Sequence, residues 1–105
     1  MGDIRVWGRK SSVNVQLVLW TLDELNLAYQ RVDAGFIYGV VDTDAFKEMN
    51  PNGRVPVLID GDGQPIFESA SILRYLANQY GDDVFWPKDA AARAQIDKWA
   101  EWAKW

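Results

Sequence analysis

The chain has 105 residues, 49% of them apolar and 25% charged, with a formal net charge of −4; that size and mix describe one globular domain with a moderate core. With no Cys it forms no disulfide and has no thiolate of its own, and with no His it lacks an imidazole acid or base and the usual zinc ligands. The acidic balance and the lack of a Lys/Arg cluster disfavour nucleic acid and anionic membranes, and no run has the length of a signal core or a membrane span, so a soluble cytoplasmic protein is expected.

Ile4, Val6 and Trp7 predict a short first strand, followed by a turn over residues 8–12. A helix is expected over residues 13–26. Val15, Val18, Leu19, Leu22 and Leu25 form its apolar face, and Val13, Leu17 and Trp20 widen the stripe towards contact on more than one side. Ser12 is the expected N-cap, with Ser11 as the alternative. Residues 27–33 read as a second strand, and strand, helix, strand predicts a right-handed crossover to a parallel neighbour. Residues 34–41 are irregular; Asp42 or Thr43 then caps a short helix over residues 44–49, which stops ahead of Pro51.

Residues 50–80 carry the densest signals. Asn50-Pro51-Asn52-Gly53 is a turn, residues 55–59 are an apolar run holding Pro56, and Asp60-Gly61-Asp62-Gly63 marks a hairpin. A strand at residues 65–67 and a helix to Tyr80 follow, the latter through Ile72, Leu73 and Leu76. A proline early in a strand gives no N–H to a ladder, which predicts an edge or an interruption. It leaves the Val55 backbone open, either as a plain edge or as a docking edge for an extended, peptide-like ligand. Ser69 at the helix start offers a hydroxyl and free amides that suit a carboxylate, and Glu68 before it either meets an ammonium group or stands alone.

Gly81-Asp82-Asp83 stops that helix, Phe85 and Trp86 in the linker should pack back on the domain, and Asp89 should cap a last helix running from Ala90 through Ile96, Trp99, Ala100 and Trp102 to Trp105. Six tryptophans are many for this length, and Trp86, Trp99, Trp102 and Trp105 crowd one end, as on a surface meant to be covered.

Reactive groups are few. Ser12 is either a cap alone or a hydroxyl that donates to a thiolate held at the helix mouth, with Asn14 able to help from the first turn. Arg9 and Lys10 bring positive charge there or are simply solvated. The acid-rich turns lack the spacing of a calcium loop, and the glycines form no phosphate-binding fingerprint, so neither metal nor nucleotide is expected. Any reactive thiol must arrive with the ligand.

The stretches Trp7-Gly8-Arg9, Ser12-Val13-Asn14-Val15, residues 18–25, residues 50–58, and Glu68-Ser69 with Ile72, Leu73, Arg74, Tyr75 and Leu76 resemble the N-terminal, thioredoxin-like domain of bacterial cytosolic glutathione transferases. The resemblance spans residues 3–105. It implies a thioredoxin-like α/β fold, a βαβ-α-ββα sandwich with one additional C-terminal helix. It also implies a division into a glutathione-binding domain at 1–81, a linker at 82–88, and, at 89–105, the first helix of a truncated all-helical domain whose remainder is missing. Pro56 would be the cis proline, Val55 would bond the cysteinyl backbone of glutathione, and Glu68 and Ser69 would hold the γ-glutamyl ammonium and carboxylate. Arg54 joins this binding set. Ser12 would stabilise the thiolate, with Asn14 assisting and Ser11 as fallback.

The implied function is thiolate activation of bound glutathione for conjugation to a small electrophile, reduced by truncation. The alternatives are a non-catalytic thioredoxin-like module that binds glutathione weakly or serves folding or interaction, and a glutathione-dependent disulfide or peroxide reductase. The Trp-rich terminal helix predicts self-association, as a dimer or larger homo-oligomer.

Overall fold

A computed structural model describes residues 3–103. Strand β1 (Ile4–Trp7) leads into helix α1 (Val13–Glu24), strand β2 (Tyr29–Val32), a 3-10 turn (Phe36–Tyr38), helix α2 (Asp44–Met49), strands β3 (Val57–Asp60) and β4 (Ile66–Phe67), helix α3 (Ser69–Tyr80) and helix α4 (Ala90–Ala103). The sheet order is β2-β1-β3-β4. β1 runs parallel to β2, as the strand–helix–strand pattern predicts, and antiparallel to β3, which pairs antiparallel with β4. The expected thioredoxin-like βαβ-α-ββα sandwich with one extra C-terminal helix is the fold observed.

Strand alternation sorts the core into two layers. Ile4, Val6 and Leu58 pack with Val18 and Leu22 of α1 and Ile72 and Leu76 of α3. Val57, with Trp7, Val55 and Phe67 against it, packs with Phe46 of α2 and with Ala34 from the connection that follows β2. The loop between β1 and α1 is pressed onto the helix: a Cβ on Gly8 would come within 2.4 Å of the Val15 side chain.

Helix ends follow local chemistry. The Val15 N–H reaches the Ser12 hydroxyl at 3.4 Å, so Ser12 and not Ser11 caps α1. That helix stops at Glu24, two residues short of the expected end, because Asn26 takes φ +56°. The Asn26 N–H then donates to Asp23 O and the Leu27 N–H to Leu22 O, the paired bonds of a left-handed C-terminal cap. Thr43, the second of the two candidates, caps α2, and Asp89 caps α4 through the Ala92 N–H.

Of the two outcomes that Pro56 predicts, an edge strand or an interruption, the edge is corrected: β3 lies inside the sheet and the edges are β2 and β4. The ladder starts at Val57, after the proline, so the missing N–H removes no strand pairing. Phe85 is half-buried and Trp86 buried, as expected of the linker. The predicted role of Trp105 lies outside the described residues.

Candidate functional site

The sheet register gathers one end of the molecule. Trp7 pairs with Val32 on one side and Val57 on the other, and Val57 pairs with Phe67. The chain leaving β1 towards Ser12, the chain leaving β2 towards Gly35, the chain entering β3 through Val55-Pro56 and the chain leaving β4 into Glu68-Ser69 therefore all meet at this end. The Val55-Pro56 bond is cis.

A cleft of about 280 Å³ opens here, lined by Arg9, Ser12 and Asn14 from the start of α1, Gly35, Phe36 and Val41 from the β2–α2 connection, and Gly53, Arg54 and Val55 ahead of β3. Of the residues singled out from sequence, Arg9, Ser12, Asn14, Arg54 and Val55 share this cleft, and Lys10 does not line it. Ser11 is exposed and outside it. Pro56 is buried behind it, and Glu68 and Ser69 stand at the same end of the sheet without lining it. Glu68 is exposed, holds φ +74° and makes no side-chain cap bond; Ser69, the first residue of α3, is buried.

Ser12 carries two features at once. It is buried, and its oxygen accepts the Val15 N–H. An accepting hydroxyl still has its own hydrogen to give, and the N-terminus of α1 favours an anion in front of it. A cap and a donor to an anion are thus compatible in one side chain.

Asn50 is the residue whose importance the sequence hid. It is 2% exposed. Its amide donates to Arg54 O at 2.9 Å, while its side-chain oxygen accepts from the Asn52 N–H and the Asn52 amide at 3.0 and 3.1 Å. These bonds shape the loop that delivers Arg54 and Val55 to the cleft. The Asn-Pro-Asn-Gly signal reads only as a turn; nothing local tells which of its two asparagines turns inward. Three non-glycine residues with positive φ, Phe36, Val40 and Glu68, also cluster around this end, the backbone pattern that often marks functional loops.

A second, more apolar groove of about 350 Å³ runs between α1, α3, the linker and α4, lined in part by Leu17, Trp20, Leu73, Phe85, Ile96 and Trp99. Trp20, Trp99 and Trp102 are 66%, 59% and 65% exposed. Among the described residues, no His/Cys/Asp/Glu group could hold a metal ion and no helix is long and apolar enough to cross a membrane.

The model of the glutathione S-transferase N-terminal domain matches residues 7–84. Glutathione S-transferase GstB of Escherichia coli (strain K12) is 46% identical over 101 residues, covering 95% of this chain and 49% of the relative. The transcriptional regulator URE2 of Saccharomyces cerevisiae is 35% identical over 100 residues, covering 90% of this chain and 28% of its own. Among solved structures, the theta class glutathione S-transferase of Xanthomonas axonopodis pv. citri with glutathione bound superposes with a TM-score of 0.89 at 42% identity, covering 97% of this chain and 48% of that one. The chain thus spans about half the length of GstB and of the Xanthomonas enzyme, and less of URE2.

Proposed function

This chain belongs to the glutathione S-transferase family through its N-terminal domain, and we propose that its cleft binds glutathione and holds the thiol as a thiolate for attack on a small electrophile. The observation that carries this reading is the shared cleft of Ser12, Asn14, Arg54 and Val55 at the mouth of α1. The bound tripeptide lies along the Val55 backbone, with its γ-glutamyl end towards Glu68 and Ser69 at the adjacent start of α3. Val55 bonds the cysteinyl main chain, the Ser69 hydroxyl and the first-turn amides of α3 meet the carboxylate, and Glu68 meets the ammonium group. Arg54 adds a cation for the ligand's other carboxylate.

Ser12 donates its hydroxyl hydrogen to the thiolate, and Asn14 supplies a second donor. The thiol proton leaves to water. Chemistry of this kind needs no imidazole and no cysteine in the protein, in keeping with their absence from the sequence; the gain comes from ionising and placing the sulfur. The working unit is residues 1–81, joined by 82–88 to α4, in a cytoplasmic protein. A thiol-conjugation assay tests the catalytic half. Ser12→Ala should lower the rate roughly ten- to hundredfold, the worth of one hydrogen bond to a charged group. An unchanged rate would move the role to Asn14 or Ser11.

A second reading is favoured by the exposed tryptophans of α1 and α4: a binding module that self-associates through the α4 face. A relative named as a transcriptional regulator matches over the same stretch of this chain. Glutathione binding without any conjugation, together with concentration-dependent association, would select it.

A further inference from the structure

The protein carries a net charge of −4, yet the cleft inverts that sign. Arg9 and Arg54 are the charged side chains lining it, and no carboxylate does. Among the described residues, the ion pairs involve Arg31 and Arg74 rather than either of these arginines.

Arg9 is also held in place. Its N–H donates to Ala34 O at 3.0 Å and its carbonyl accepts from the Ser12 N–H at 3.2 Å, which ties it to both β2's exit and the α1 cap. Its guanidinium carbon sits 5.5 Å from the centre of the Phe36 ring. A Cβ on Gly35 would stand 3.0 Å from Arg9 Nη1, at a backbone φ of +93° that a side chain rarely tolerates. The turn thus leaves room for the guanidinium with one residue and covers it with the next. A planar guanidinium suits that stacked seat better than an ammonium does.

We propose that Arg9 is the counter-charge that keeps the bound thiol ionised, and that the Gly35-Phe36 turn is built to hold its guanidinium in the cleft. This rests on the glutathione reading above. Ser12 and Asn14 supply directed hydrogen bonds, whereas Arg9 supplies net charge. Within a few ångströms of a sulfur, an opposite charge favours the thiolate, and the proton goes to solvent.

The test uses the 105-residue chain with glutathione. Affinity is measured first by calorimetry, and thiol ionisation is then followed by ultraviolet difference absorbance against pH. Arg9→Gln should raise the apparent pKa of the bound thiol by about one unit, and Arg9→Lys should recover part of that shift. Lys10→Gln, an exposed neighbour outside the cleft, should change nothing. Phe36→Leu, at a position 81% exposed where folding is not at stake, keeps the charge but frees it, and should move the titration the same way as Arg9→Gln by a smaller amount. Arg9→Gln and Phe36→Leu both titrating like the parent would overturn the proposal, as would a Lys10→Gln shift equal to that of Arg9→Gln. Failure of the parent to bind glutathione at all would instead remove the functional reading, and this inference with it.

Discussion

Asn50 and Ser12 show how single side chains connect fold and site. Replacing Asn50 by Ala removes the part-buried bonds to Arg54 O and from the Asn52 N–H. The expected cost is about 1 kcal/mol in urea unfolding, with weakened glutathione affinity because the loop before Val55 loses its brace. Ser12→Ala should cost about 1 kcal/mol as a lost cap, separately from its effect on rate. Tyr75 and Tyr80 both donate to the Asp60 carboxylate, at 2.6 and 2.5 Å. Burial first and the Asp60 bond second push Tyr75 up to about 12; for Tyr80 the Asp60 bond leads and burial follows, again to about 12. Because these phenols hold their protons more tightly folded than unfolded, their stabilisation is complete below the ordinary phenol range near 10 and is lost as pH rises towards 12. Alkaline unfolding should therefore be less steep over that window in a Tyr75→Phe, Tyr80→Phe double variant; a parent-like slope would contradict the assignment. Ser12 was legible because serine is both the common cap and a plausible donor. Asn50 was not, because inward burial is decided by the tertiary fold.

At the scale of elements, periodicity locates α1, α3 and α4 and turn and cap signals place the hairpin and α2, while the 3-10 turn at Phe36–Tyr38 falls in a stretch that reads as irregular. Helix α1 is shorter than its apolar stripe because Asn26 adopts a left-handed turn, a conformation Asn permits without announcing it. Pro56 reads as an edge or an interruption; it lies one residue before the ladder of an internal strand, so only the edge fails, and strand order is a tertiary fact that the local run does not carry. The union of α3 and α4 rests on Arg74, which bonds Asp97 at 2.5 Å and also pairs with Glu101, and on Trp86, buried beneath the Arg93 guanidinium at 5.1 Å from its ring centre. Each half-exposed ion pair contributes about 1 kcal/mol or less. Arg74→Ala should therefore speed hydrogen exchange in α4 while leaving α1 and the centre of α3 as protected as before; uniform loss of protection would show that α4 is not a separately docked element.

For the whole molecule, two core layers close around one sheet, and the sheet end with the cleft is where four chain segments converge. An apolar groove lies beside α4, lined in part by Trp99, with which Trp102 stands edge to face at 5.7 Å. Sedimentation should show association that grows with concentration and weakens in a Trp99→Ser, Trp102→Ser double variant; a clean monomer throughout would leave these rings unexplained by self-contact. The fold and the family were readable because the Val-Pro turn and the Glu-Ser helix start are spaced by a hairpin that the Asp-Gly repeat announces. The cleft was readable only in part: Arg9 stands beside Ser12 in sequence, whereas Gly35 and Phe36 come from a segment with no motif, and only the register β2-β1-β3 brings them to Ser12 and Val55. Whether this end of the sheet binds glutathione is decided by calorimetric titration of the chain with glutathione. Saturable one-site binding within the millimolar range, weakened when Ser69 is replaced by Ala, is the expected result; no saturable binding at millimolar glutathione would rule the site out.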